Sequence, residues 1–254
     1  MNQFLISLIT TFFIGGIAGY LGSLMLTKRM ALVGGPLGHL ALPGVALALI
    51  FNFNILWGAF ATIFLGIIII WGLEIKTKIP TEALTGVIFS AGVALGLLFL
   101  PMEHAEQALI GDVANIARLD MILSIIFSIL VFIIVYKIYL KFILISISND
   151  LAKAEGINPK VYNFIYLMCI AFVITLEVKI VGTFLPVALV AIPASAAKNF
   201  SKNLKQYSFI SLILGALSGL VGILIYRQTG LPAGPLIILT ATFFFLVSLL
   251  CKKA

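Results

Sequence analysis

Apolar residues run along this chain in long unbroken stretches, separated by short clusters of charge, glycine and proline. A helix of about 20 consecutive apolar residues crosses the hydrocarbon core of a bilayer. On that rule the sequence predicts nine candidate spans: 4–26, 31–51, 54–73, 82–100, 120–144, 161–177, 180–197, 207–226 and 231–250. The runs are continuous and do not alternate with polar residues, which excludes the strands of an outer-membrane barrel. The segment 180–197 carries Pro186 and Pro193 and is predicted broken or re-entrant, leaving eight full crossings. The fold class is an all-α integral membrane protein. It is a bundle of about eight to nine transmembrane helices with one or two broken spans, forming a single domain over residues 1–254.

Small residues recur every four positions: Gly15, Gly19 and Ser23 in the first span, Gly92 and Gly96 in the fourth, Gly215 and Gly219 in the eighth. Such ridges let helices approach closely, either within one chain or between two copies. Trp57, Trp71 and the tyrosines near span ends read as interface anchors.

Composition supports lipid as the solvent: 62% of residues are hydrophobic and 10% charged, with a mean hydropathy of +1.23. A soluble domain is nearer half apolar and a quarter charged. The net charge of +7 lies between the apolar runs, so it reports topology and gives no reason to expect nucleic acid. Assigning loops to alternate sides places thirteen of the 16 basic residues on one side and only Arg118, Lys179 and Arg227 on the other. The basic side is cytoplasmic, which puts the N-terminus outside and the C-terminus inside. Residues 1–26 lack a basic leader and a small-residue cleavage signal, so they are expected to remain as a first helix. Cys169 and Cys251 have no partner at metal-ligand spacing and read as inert.

The second span, 32–49, is unusual at membrane depth: it holds Gly34, Gly35, Gly38, Gly44, Pro36, Pro43 and His39. Every backbone polar group in hydrocarbon needs an internal partner, so an interrupted helix is tolerated only beside protein or a water-filled cavity. Pro43 and Gly44 are predicted to break the helix one turn after His39. A broken helix beside an ionisable ring is what a translocation pathway looks like. The alternative is a kinked helix buried in a bundle, with His39 bonded to a neighbour.

Two polar segments interrupt the apolar chain. The outer one, 101–120, holds Glu103, His104, Glu106, Asp112 and Arg118. Glu103, His104 and Glu106 put three possible metal ligands in four residues, though a charged surface loop has the same look. The inner one, 146–160, predicts a short amphipathic helix beginning at Asp150, ending before Gly156 and stopped by Pro159. Its length suits docking into a groove on a partner. Glu177 and Lys179 are predicted to flank an outer turn at the membrane boundary, and Glu74 to join a solvated cluster with Lys76 and Lys78.

An ordered set of short motifs resembles the membrane permease subunits of zinc, manganese and iron ABC transporters over nearly the whole chain. They are Arg29-Met30-Ala31-Leu32-Val33-Gly34, then His39 with Leu42-Pro43-Gly44-Val45-Ala46-Leu47. Glu82, Gly86 and Phe89 follow, then Gly111-Asp112, then Asp150, Ala152, Ala154 and Gly156. Val181-Gly182, Ala191-Ile192-Pro193-Ala194 and Leu231-Pro232-Ala233-Gly234-Pro235 complete the set. The resemblance implies a type II ABC importer permease fold in a prokaryotic plasma membrane. It implies a homodimer with a central path lined by Gly35, His39, Pro43 and Gly44, with His39 as the metal contact. Cytoplasmic ATPase subunits would dock on a coupling helix at Asp150, Leu151, Ala152, Ala154, Glu155 and Gly156. An extracytoplasmic binding protein would deliver the ion, with Glu103, His104, Asp112 and Arg118 as contacts. The cargo would be a divalent metal ion, with no permanently bound cofactor.

The chain has no Gly-x-x-x-x-Gly-Lys-Ser/Thr phosphate loop, which agrees with ATP chemistry on a partner. No nucleophile–base pair lies in the spans, so the chain is not expected to be an enzyme. One departure stands out. The family commonly carries an aspartate four residues before the histidine, and here that position is Gly35, with Gly38 in place of the usual serine. Two imidazoles in a two-fold path favour borderline ions such as zinc over hard, oxygen-seeking ones. The same loss fits a larger cargo, such as a siderophore or corrinoid chelate, for which Gly35 and Gly38 would make room. A secondary carrier would bury a coupling carboxylate in a span, and none is expected near mid-depth. A non-transporting scaffold would tolerate replacement of His39.

Overall fold

The computed structural model describes residues 2–27, 34–77, 79–100, 105–111, 113, 116–183 and 185–250, and every element among them is helical. In chain order these are α1 (Gln3–Thr27), α2 (Gly34–His39), α3 (Leu42–Ile50), α4 (Ile55–Thr77), α5 (Thr81–Phe99) and α6 (Ala105–Ile110). They continue as α7 (Arg118–Ile147), α8 (Asn149–Ala154), α9 (Pro159–Val181), α10 (Pro186–Phe200), α11 (Leu204–Thr229) and α12 (Ala233–Leu250). Six are long and apolar enough to cross a membrane: α1, α4, α7, α9, α11 and α12. The pair α2–α3, the 19-residue α5 and the 15-residue α10 take the other three places predicted from hydropathy.

Helix α1 is the axis of the bundle. Residues 14–25 are buried without interruption, because α7, α9, α10 and α11 surround them. A helix apolar on every side has no polar face to turn outward, so it belongs in the middle. Its small residues decide how close α11 comes. A Cβ on Gly15 would run into the carbonyl of Gly215, one on Gly19 into that of Ser211, and one on Gly219 would lie 2.5 Å from the Thr11 oxygen. The four-residue ridges of the first and eighth spans therefore face each other within one chain. Ser23 Oγ lies 3.0 Å from Ser208 Oγ, which donates to Tyr139 Oη at 2.7 Å, tying α1, α11 and α7 together beside the glycine crossing.

The outer ends are pinned by the start of α1. Gln3 Nε2 donates to the Ile116 carbonyl at 2.9 Å, and Ser7 Oγ to that of Val113 at 2.9 Å. At the other end α7, 30 residues long, spans about 45 Å at 1.5 Å per residue and so outruns the hydrocarbon. It delivers the chain to α8 beyond the membrane.

The span 180–197 departs from its prediction. Helix α9 continues to Val181, past the first charges at which the apolar run was taken to end, and stops where Gly182 adopts φ 74°. Gly182 and Gly111, at φ 84°, are so close that a Cβ on either would meet the other's backbone. The chain re-enters a helix only at Pro186. Pro193 is buried inside α10 without ending it, so this segment is shortened and not broken.

Candidate translocation site

The interruption in the second span is real, and it lies closer to His39 than Pro43 and Gly44 suggested. Helix α2 ends at His39, Leu40 and Ala41 form a turn, and α3 starts at Leu42. Ala41 N–H bonds back to the Gly38 carbonyl at 3.2 Å, a three-residue closure, and Val45 N–H opens the new helix on the Ala41 carbonyl at 2.9 Å. Pro43 falls in the first turn of α3, where its missing N–H has no intrahelical partner to lose. The proline starts a helix here instead of breaking one.

Five glycines hold the break in place. Leu40, the turn residue, is gripped by Gly66 of α4, where a Cβ would sit 2.7 Å from Leu40 Cδ2, and by Gly92 of α5, where it would sit 3.3 Å from Cγ. On Gly96 it would lie 2.6 Å from Leu42 Cβ. Gly44 and Gly58 face each other across α3 and α4, each leaving no space for a side chain on the other. Gly58 and Gly66 were not singled out from sequence. Their partners lie in a different span, and a lone glycine in an apolar helix carries no label saying what it faces.

The His39 ring is half-buried and lies 5.4 Å from the Phe89 ring of α5, inclined at 46°. Gly35 occupies the first turn of α2. Gly38 is covered by the start of α10: a Cβ there would lie 3.0 Å from Pro186 Cγ and 3.1 Å from the Thr183 carbonyl. It therefore opens no room for a bulky chelate, contrary to what its small size suggested.

Two acids, Glu177 and Glu74, behave differently from their sequence reading, and a third, Asp120, forms a pair that sequence did not indicate. Glu177 does not flank a turn at the membrane boundary. It lies inside α9 at 0% exposure, with neither carboxylate oxygen hydrogen-bonded. A buried carboxylate thus lies in the last two turns of α9, near the end of that span rather than at its middle. Lys179 lies 3.5 Å from Asp120 Oδ2, with side-chain exposures of 14% and 2%. Asn54 Nδ2 donates to Asp120 Oδ1 at 2.8 Å, and the Ala117 amide to Oδ2 at 3.3 Å. This cluster joins the α3–α4 turn to α7 and α9, and sequence could not pair three residues so far apart. Glu74 accepts from Asn163 Nδ2 at 3.2 Å, linking α4 to α9 in place of a solvated cluster.

On the side carrying most of the basic residues α8 forms as a six-residue helix. Its cap is Ser148, whose hydroxyl accepts from Leu151 N–H at 3.3 Å, while Asp150 lies in the first turn and pairs with Lys153 at 3.3 Å. Gly156, at φ 72°, closes the end, with Ile157 N–H on the Ala152 carbonyl at 2.9 Å. Ala152 is buried against the bundle, and Leu151, Ala154 and Glu155 border an open groove of about 430 Å³ with Lys141, Leu144 and Tyr162. Arg118 is exposed at the start of α7. Glu103, His104 and Asp112 lie outside the described residues.

The broken span bearing His39 and the short capped helix α8 are where two of the family-like motifs fall in the structure. Residues 1–252 match the ABC 3 transport family. The chain belongs to that family. Among its relatives is the manganese import system permease protein ScaB of Streptococcus gordonii, 32% identical over 246 residues, covering 95% of this chain and 88% of that protein. The high-affinity zinc uptake system membrane protein ZnuB of Buchnera aphidicola subsp. Baizongia pistaciae is 28% identical over 257 residues, covering 95% and 98%. Among solved structures, PsaBC from Streptococcus pneumoniae in complex with Fab superposes with a TM-score of 0.84 at 27% identity, over 98% of this chain and 91% of that one. The ABC 3 assignment makes the chain a multi-pass membrane permease subunit, with ATP hydrolysis on a separate partner.

Proposed function

We propose that this permease imports a divalent metal ion of the manganese, zinc and iron group as a homodimer, driven by cytoplasmic ATPase subunits and fed by an extracytoplasmic binding protein. The observation that carries the reading is His39 at the end of α2, beside a helix break that five glycines hold in place. A ring at a break can offer a lone pair to a passing ion while the surrounding glycines keep the backbone close. The site is spare, with imidazole as its best donor, and a conduit must hold its ion weakly enough to release it. The names of the relatives, manganese and zinc systems among them, support a metal cargo.

In this reading Gly35, His39, Pro43 and Gly44 line the path of each copy. The helix bearing Asp150, Leu151, Ala152, Ala154, Glu155 and Gly156 receives the motion of the ATPases. Because Ala152 is buried while Leu151 is 55% exposed, α8 is anchored on one side and available on the other. Arg118, with Glu103, His104 and Asp112, meets the delivering protein. The test is metal-dependent ATPase activity of the reconstituted complex with zinc and manganese chlorides. Native protein should be stimulated, and His39→Ala should lose at least tenfold of that stimulation. Full stimulation of His39→Ala would remove His39 from the path.

A further inference from the structure

Helix α9 holds an acid that no assigned role uses. Glu177 has 0% exposure and two carboxylate oxygens without a hydrogen bond. Thr183, in the turn just beyond α9, is also at 0% with its Oγ1 unpartnered. Buried polar groups are nearly always bonded, so each exception needs a reason, and an acid inside a membrane span needs one most.

The helical repeat fixes which side Glu177 occupies. Phe172 and Leu176 line a small apolar cavity with Leu56, Phe60, Leu123 and Phe127 of α4 and α7. At 100° per residue Glu177 points away from that cavity, and the neighbours of α9 other than α4 and α7 include α1, α2, α10 and α12. Val181, one turn further along that side, touches Gly234 of α12, and the Thr183 carbonyl touches Gly38, next to His39. The remaining described acid side chains are spent elsewhere: Glu74 on Asn163, Asp120 on Lys179, and Asp150 and Glu155 on the cytoplasmic α8. Among the described residues Glu177 is the one buried acid whose carboxylate oxygens have no partner. A divalent cation that sheds water inside the bundle needs anionic or dipolar ligands, and neutral imidazole supplies no charge.

We propose that Glu177 is a ligand carboxylate for the transported divalent cation, enclosed within the bundle in this structure and uncovered when the helices packed around α9 separate. The inference rests on the metal-import reading above.

The test is uptake of zinc and of manganese by proteoliposomes holding the permease with its ATPase, native against Glu177→Gln, which keeps the shape and removes the charge. The half-saturating metal concentration should rise at least tenfold in Glu177→Gln while the complex still assembles. A value within twofold of native overturns the proposal. Should Glu177→Gln fail to assemble, Glu177→Cys in a Cys169→Ser, Cys251→Ser background is exposed to a membrane-impermeant methanethiosulfonate reagent in nucleotide-free and ATP-trapped states. Labelling in one of the two states, slowed at least fivefold by manganese, supports the proposal, and absence of labelling in both overturns it. Native proteoliposomes without metal uptake would remove the import reading itself, while native uptake matched by Glu177→Gln removes only this inference.

Discussion

Asp120 shows how much one side chain can organise. Its carboxylate holds Lys179, Asn54 and the Ala117 amide, so the outer ends of α7 and α9 and the turn after α3 share one anchor. Breaking a buried pair leaves the surviving charge without compensation, at about 3 kcal/mol, whereas replacing both partners with apolar groups is often near neutral. Asp120→Ala should therefore lower the denaturation midpoint of the purified permease clearly. Asp120→Ala combined with Lys179→Leu should recover a good part of the loss. A double variant as unstable as the single one would mean that Asn54 and the amide, and not Lys179, account for the effect. Sequence placed Asp120 in a polar segment and Lys179 at a boundary, but the 58 positions between them hid the pair. Glu177 was hidden for a related reason: hydropathy ends a span at its first charges, while the α9 backbone continues until Gly182.

At the scale of elements, the second span depends on its neighbours more than on its own proline. A break after His39 exposes backbone groups that α4, α5 and α10 must cover, and they do so through positions with no side chain. Gly96→Val tests this directly, because its Cβ would arrive 2.6 Å from Leu42 Cβ. Overpacking of this kind costs about 1–3 kcal/mol. The expected outcome is a lower melting temperature together with loss of metal-stimulated ATPase activity. Gly86→Val is the control: a Cβ there meets nothing within 4 Å, so both readouts should stay near native. If Gly96→Val behaved like Gly86→Val, the clamp on the break would be dispensable.

For the whole molecule, the bundle is built around α1, and its exits are α8 on the basic side and the outer turns opposite. A permease of this family leaves ATP hydrolysis to a separate partner, and in the function proposed above that partner reaches the bundle through α8. Reversing charge at Asp150 and Glu155 together should abolish copurification with the ATPase, measured by affinity capture from cells expressing both. The permease alone should carry no metal into liposomes. Uptake without the ATPase would contradict the coupling reading, and capture that survives both reversals would move the docking surface away from α8.

The sequence by itself determined the solvent, the helical class, the approximate spans, the basic side and the family. Each is written in local pattern: run length, charge between runs, and short motifs in a fixed order. It also marked His39, the four-residue glycine ridges and the short helix closed by Gly156, because spacing along one helix is local too. Only the tertiary structure decided where the second span breaks, that Pro43 begins a helix, that Pro193 leaves α10 intact, and that Gly38 is filled by α10. It alone joined Asp120 to Lys179 and enclosed Glu177. The physical reason is the same throughout: in lipid, local sequence fixes which segments become helices, but helix contacts, set by where side chains are missing, decide which polar groups find partners.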